Sequence, residues 1–275
     1  MKKRIGIIGF GNMGSAIAEG LKNTYEVIVY DKDISKIKSL KKIKVASSNI
    51  DLVKNVDLVI LAVKPQDFKS LLNEIKDYTK DKFVISIAAG IPIEFIKKYL
   101  NTEIVRVMPN LPLKVKKGIS CICPDSAVKK ENLELAKKIF KRFGVVLVIK
   151  ENLIDAATAI SGSGPGFLYY MIKNKSKSEI KKYIKNIFIP IVIETAQKLG
   201  FDKKSAQILA KNTKEGSLIY LNKSKLSLSE LINKVASKGG TTEAGLCVLS
   251  QNRGLDEAIL KAYERAKELG RIWKE

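Results

Sequence analysis

The sequence predicts an α/β protein: an N-terminal doubly wound parallel sheet, followed by an all-helical C-terminal domain. Three observations carry that expectation. From residue 4 to 149, short and nearly continuous apolar runs rich in β-branched residues alternate with amphipathic stretches, as in strands buried on both faces of a parallel sheet. After Lys150 no convincing strand pattern remains, and apolar residues recur at helical spacing. The length of 275 residues, at roughly 150 per domain, suits two domains, placed here at 1–150 and 151–275.

The expected strands are Arg4–Ile8, Glu26–Tyr30, Asp57–Val63, Phe83–Ala89 and Ile104–Val107, with Ile119–Ile122 and Val145–Ile149 after them. Between them the spacing predicts helices at Asn12–Lys22, Ser35–Lys42, Asp67–Tyr78 and Glu131–Phe143. Strand and helix in repetition define the doubly wound arrangement. In the second half, helices are expected at Ile187–Leu199, Lys203–Leu221, Leu228–Val235 and Leu255–Leu269. An all-helical domain beside such a sheet commonly completes its core by pairing, so this half is expected to dimerise.

Composition excludes several classes. The chain is 45% hydrophobic and 28% charged, too apolar for a disordered chain. No apolar run reaches the roughly 18 residues of a membrane-spanning helix. The basic start, Met1 to Arg4, leads into a strand broken by Gly9, Gly11 and Asn12, which is not the pattern of a secretory signal. Three cysteines are too few for a disulfide framework, so a cytoplasmic setting is expected. There is no histidine, which removes imidazole bases, catalytic triads and histidine-ligated zinc. Cys121 and Cys123, two apart on a strand, share one face and read as buried packing, so no metal is expected. The net charge of +22 comes from 44 lysines and only six arginines. Phosphate-clamping surfaces favour the planar guanidinium. The lysines are spread over every polar face, so neither a nucleic-acid nor a membrane partner is expected.

The first chemical motif is Gly9-Phe10-Gly11-Asn12-Met13-Gly14, between a strand and a helix. Glycines there allow a tight turn and close backbone approach, and the helix N-terminus faces a pyrophosphate. Asp31 closes the second strand about 20 residues on, where an acid accepts hydrogen bonds from ribose hydroxyls. The domain therefore reads as a Rossmann-type site for NADH or NADPH. Asp31 leans to NADH, because it repels a 2′-phosphate, and Lys32 beside it permits NADPH. Lys64-Pro65 after the third strand, Ala88-Ala89-Gly90 after the fourth and Met108-Pro109-Asn110 after the fifth outline one crevice at the carboxyl edge of the sheet. The small residues at Ala88 and Ala89 leave room for a flat ring.

In the helical half, Ser161-Gly162-Ser163-Gly164-Pro165 predicts a nest at a helix start, with hydroxyls meeting the exposed N–H groups. Ser237-Lys238-Gly239-Gly240-Thr241-Thr242 predicts a second helix start suited to a carboxylate.

These motifs, in order along essentially the whole chain, resemble the pyrroline-5-carboxylate reductase family. Ser161–Pro165 and Ser237–Thr242 are the specific ones. The family reduces the C=N bond of a cyclic imino acid with NAD(P)H, the last step of proline synthesis. It does so on a Rossmann domain with a helical dimerisation domain, and its dimers often assemble into rings. The resemblance implies cofactor contacts at Gly9 to Gly14, Asn49 and Ala62, Val63, Lys64 and Pro65, with Ala88 and Ala89 beside the nicotinamide. It implies substrate-carboxylate contacts at Ser237, Gly240 and Thr241, an acid near the same pocket at Glu151, and a hydrogen bond between Thr242 and the substrate nitrogen. Three positions depart from the family pattern: Lys238 in place of proline, Gly166 in place of alanine, and an extra lysine-rich stretch between Tyr170 and Phe188. Two other readings fit the same residues. One is a different NAD(P)-dependent imine or hydroxyacid oxidoreductase; the other is a non-catalytic dinucleotide-binding regulator.

Overall fold

Eight strands, β1 (Arg4–Ile8), β2 (Glu26–Tyr30), β3 (Lys44–Val45), β4 (Leu58–Leu61), β5 (Phe83–Ser86), β6 (Glu103–Pro109), β7 (Gly118–Pro124) and β8 (Gly144–Val148), lie in one sheet in the order β3-β2-β1-β4-β5-β6-β7-β8. The structure, a computed structural model, describes residues 3–273; Met1 and Lys2 of the basic start lie outside them. β1 runs parallel to both β2 and β4, with Ile5 facing Val27 on one side and Leu58 on the other. β2 with β3, β4 with β5, and β5 with β6 are also parallel. The chain winds outward from β1 through β2 to β3, then returns to β4 and winds the other way. That reversal puts the topological switch point, where such sheets bind ligands, at the carboxyl ends of β1 and β4.

Contacts divide the described residues into two compact units, one of residues 3–107, 122–142 and 273 and the other of 108–121 and 143–272. Segments 108–121 and 143–150, assigned by the sequence to the first half, thus group with the helical half.

The first unit carries helices α1 (Asn12–Leu21), α2 (Asn49–Lys54), α3 (Phe68–Ile75), α4 (Ile93–Lys97) and α5 (Lys130–Lys141). All four β4 residues are buried, as are Ile5 to Ile8 of β1. Helix α3 turns Phe68, Leu71, Leu72 and Ile75 into the core, and each such side chain contributes about 1.5–3 kcal/mol by leaving water. The helix expected at Ser35–Lys42 does not form. In its place a single 3-10 turn covers Ile34–Lys36, and β3 follows. Asp31 accepts a hydrogen bond from the Asp33 N–H at 2.9 Å, and Asp33 accepts from the Ser35 N–H at 3.2 Å. Such side-chain bonds draw the backbone into turns at the expense of a helix. Only Ile37 of the stretch is fully buried, too little apolar surface to offset the turns.

The second unit carries α6 (Ile154–Ala157), α7 (Gly164–Ile172), α8 (Lys177–Tyr183), α9 (Ile189–Lys198), α10 (Lys203–Ser224), α11 (Leu228–Val235), α12 (Thr241–Ser250) and α13 (Leu255–Arg271). No strand follows β8 among the described residues. Two π-helical turns join neighbouring helices, Thr158–Gly162 before Pro165 and Ile184–Phe188 before Pro190. Proline lacks an N–H and its ring clashes with the carbonyl four residues back. At Pro190 a locally wider turn accommodates it without ending the helix, whereas at Pro165 the helix breaks at Ser163 and restarts with the proline in its first turn. The lysine-rich α8 starts in a capping box between Ser176 and Glu179.

Candidate active site

The three glycines after β1 do different things. Gly9 has φ +98°, a backbone that side-chain-bearing residues rarely adopt, and a Cβ there would lie 2.6 Å from the Ala62 carbonyl oxygen. A Cβ on Gly14 would run into the Gly9 carbonyl oxygen, so this glycine lets α1 close on the loop. A Cβ on Gly11 would meet no protein atom within 4 Å. Gly11 is also the N-cap of α1, and no side chain caps that helix. A bare helix N-terminus facing open space suits a pyrophosphate, so the residues present fit a dinucleotide.

Asp31 is buried at the end of β2 and ties the loop to it. One carboxylate oxygen accepts from the Phe10 N–H at 2.6 Å; the other accepts from the Asp33 N–H and from the Lys36 ammonium at 3.3 Å. Burial pushes its pKa up, but these hydrogen bonds and the lysine charge outweigh burial and hold it below the usual aspartate value. A carboxylate has about four acceptor sites, so three donors leave it one for a ribose hydroxyl.

A cavity of about 510 Å³ opens at this edge of the first unit. Of the residues nominated from sequence for the cofactor, Gly9, Gly11, Asp31, Lys32, Asn49, Ala62, Val63 and Lys64 line it. Phe10 joins through its bond to Asp31, and Gly14 supports the loop from behind. Asn12 and Met13 open α1, and Pro65 is the first residue of the 3-10 turn Pro65–Asp67. Ala88 and Ala89 follow β5, ahead of Gly90 at φ +77°, and are not among the lining residues. Asn49, at the start of α2, donates from its amide nitrogen to Glu74 at 2.8 Å.

The sequence reading missed the far wall, made by Gln66, Asp67, Ser70 and Glu74. Asp67, Ser70 and Glu74 are spaced three and four apart, on one face of α3, while the other face enters the core. That polar stripe, just after a strand end at the carboxyl edge, was the available signal.

In the second unit Pro165 stands in the first turn of a helix, as expected, but the serine hydroxyls do not cap that helix. The π turn ends at Gly162, and Ser163 alone separates it from α7. The Ser161 hydroxyl bonds back to the Ala157 carbonyl at 2.8 Å. Ser163 reaches α12 instead. Its hydroxyl lies 2.9 Å from the Thr241 hydroxyl and accepts from Thr242 at 3.0 Å. Thr242 is only 4% exposed. The turn before α12 is shaped by Gly239 at φ +69° and by the Gly240 N–H bonding to the Ser237 carbonyl at 2.9 Å. Gly240 is the N-cap of α12, with no side-chain cap. Arg265 donates to the Gly239 carbonyl at 2.9 Å and steadies the turn. Ser163, Ser237, Gly240, Thr241 and Thr242 are thus brought together. Glu151 opens the 3-10 turn Glu151–Leu153 and is not among the groups these bonds join.

Cys121 and Cys123 are buried, and no cluster of three or more acidic or thiol ligands exists among the described residues. No described helix is long and apolar enough to cross a membrane.

A switch-point cleft with a bare helix N-terminus and a buried acid at the end of the second strand defines a dinucleotide-binding domain. Accordingly, the family described as NADP oxidoreductase, coenzyme F420-dependent, matches residues 4–90. Pyrroline-5-carboxylate reductase dimerisation matches residues 151–269. A pyrroline-5-carboxylate reductase of Methanosarcina acetivorans is 33% identical over 98% of both chains. The Coxiella burnetii pyrroline-5-carboxylate reductase structure superposes with TM-score 0.64 at 32% identity, covering 98% of this chain and 99% of that one. The Plasmodium falciparum pyrroline carboxylate reductase, solved with NADP bound, does so with TM-score 0.63 at 30% identity over 98% of both. The chain belongs to the pyrroline-5-carboxylate reductase family and is an oxidoreductase.

Proposed function

We propose that the protein reduces 1-pyrroline-5-carboxylate to L-proline with NADH or NADPH, the final step of proline biosynthesis. The observation that carries this reading is the hydroxyl cluster of Ser163, Thr241 and Thr242 at the uncapped start of α12. A regulator that only binds a dinucleotide has no use for it.

The cofactor lies in the cleft of the first unit, on Gly9 to Gly14, Asp31, Lys32, Asn49, Ala62 to Pro65, with Ala88 and Ala89 at the nicotinamide end. When bound, it supplies the electron pair that the imine carbon accepts. The rest is done by the chain's own groups. The N-terminus of α12, with Ser237, Gly240 and Thr241, holds the substrate carboxylate by its N–H groups and dipole, and Glu151 borders the same pocket. Thr242 donates its proton to Ser163, so its oxygen keeps lone pairs to accept the N–H of the protonated imine. In the absence of histidine, the imine takes its proton from solvent. Holding the two reactants in register is the main task that falls to the chain.

In chain order the dinucleotide domain is 1–150 and the substrate and dimerisation domain 151–275, with segments 108–121 and 143–150 packing in the compact unit of the latter. The functional particle is a homodimer, with a ring of dimers as the higher form, and it works in the cytoplasm. Asp31 favours NADH and Lys32 admits NADPH. Steady-state oxidation of each cofactor with pyrroline-5-carboxylate, together with the mass of the particle in solution, tests the reading.

A further inference from the structure

Lys32 and Asp67 come from opposite walls of the cavity and meet across it. Lys32 follows β2, Asp67 precedes α3, and the ammonium lies 2.7 Å from the carboxylate. Lys32 is 76% exposed and Asp67 33%, so the pair sits at the mouth, where water and a ligand both reach it. A second lysine of that rim, Lys36, lies 3.3 Å from Asp31 and 3.4 Å from Asp33. Both lysines near the ribose-end acid are therefore engaged by carboxylates of the chain itself.

Given that the cleft takes a dinucleotide, we propose that Asp67 sets the choice between NADH and NADPH by holding Lys32. A 2′-phosphate brings charge and strong acceptor oxygens, which a lysine would pair with. To do so here it must displace the Asp67 carboxylate and also tolerate that carboxylate nearby. A ribose carrying only hydroxyls meets neither cost. Selectivity then comes from a repulsive element built against one ligand as much as from attraction to the other. Asp67 makes no side-chain capping bond to α3, so Asp67→Asn removes its charge without unmaking the helix start.

The test is calorimetric titration of the full chain with 2′,5′-ADP and with 5′-AMP, which differ only in the 2′-phosphate. Asp67→Asn is expected to tighten 2′,5′-ADP by five- to tenfold and 5′-AMP by less than twofold. In the Lys32→Ala/Asp67→Asn double variant the gain should fall below twofold, since the two sites share one interaction. Equal tightening of both ligands, or no tightening of either, overturns the proposal. A gain that persists without Lys32 also overturns it, and assigns the phosphate to another cation such as Lys64. Because these ligands carry no nicotinamide, the result stands apart from the imine-reductase reading, which fails separately if turnover with pyrroline-5-carboxylate is absent.

Discussion

The Asp31 carboxylate accepts the Phe10 N–H at 2.6 Å, and so the second strand of the sheet holds the glycine loop that follows the first. Its pKa is lowered in the folded chain. A carboxyl whose folded value lies below its unfolded one contributes stability that is complete above the unfolded value, near 4. That contribution is lost as pH falls through the folded value. Asp31→Asn should therefore melt below wild type at neutral pH, and the gap should close only in acid below pH 4. Thermal melts of both proteins from pH 7 to pH 2 check this; a pH-independent gap contradicts it.

Gly11 and Gly14 separate binding from folding. Gly14→Ala drives a methyl into the Gly9 carbonyl and is expected to lose about 1–3 kcal/mol of stability, the range for overpacking. Gly11→Ala meets no protein atom, so its melting temperature should stay within a few degrees of wild type. Cofactor affinity should still fall at least tenfold, about 1.4 kcal/mol, because the methyl occupies the pyrophosphate position. Fluorescence titration with NADPH measures the second effect, and undiminished affinity in Gly11→Ala removes the pyrophosphate from this loop.

Much of this arrangement was legible in the residues. The strands announced themselves because a parallel sheet buried on both faces needs continuous apolar runs, as at Leu58–Leu61. Gly9 and Asp31 were legible because a backbone turn and a strand end constrain residue type locally. The short helices α2 and α4 were not, since five or six residues carry too little periodicity. The failed helix at Ser35–Lys42 shows local competition: the Asp31 and Asp33 carboxylates captured the backbone N–H groups that a helix start would use. The meeting of Ser163 with Thr241 and Thr242 spans 78 and 79 positions. Only tertiary packing brings those segments together, and the π turn before Pro165 that aims Ser163 has no sequence signature beyond the proline.

The stretch near Lys173–Lys185 forms α8 with its own capping box and exposes most of its lysines. Tyr183 is the buried exception, its hydroxyl pushed up to about 12 by burial. We expect this segment to serve assembly. Its deletion should reduce the particle mass seen by analytical ultracentrifugation while NADPH affinity stays within twofold. An intact oligomer that no longer binds cofactor contradicts that role.

Thr242→Val keeps the shape of the side chain and removes the hydroxyl that meets Ser163. A hydroxyl that accepts the N–H of the protonated imine fixes the ring so that its carbon meets the incoming electron pair, which supports turnover as well as binding. The expected loss in kcat/KM is about 10- to 100-fold, or about 1.4–2.7 kcal/mol, with cofactor affinity unchanged. Ser163→Ala should cost less, since it removes only the partner of that hydroxyl. Near wild-type turnover in Thr242→Val leaves the threonine a helix-start residue alone.

Steady-state oxidation of NADH and of NADPH, with 1-pyrroline-5-carboxylate as the sole acceptor, decides whether this chain reduces a cyclic imine carboxylate. Saturable turnover yielding one proline per cofactor oxidised is expected, with kcat/KM for NADH at least equal to that for NADPH. Tight cofactor binding without any oxidation in the presence of the imine would overturn that activity.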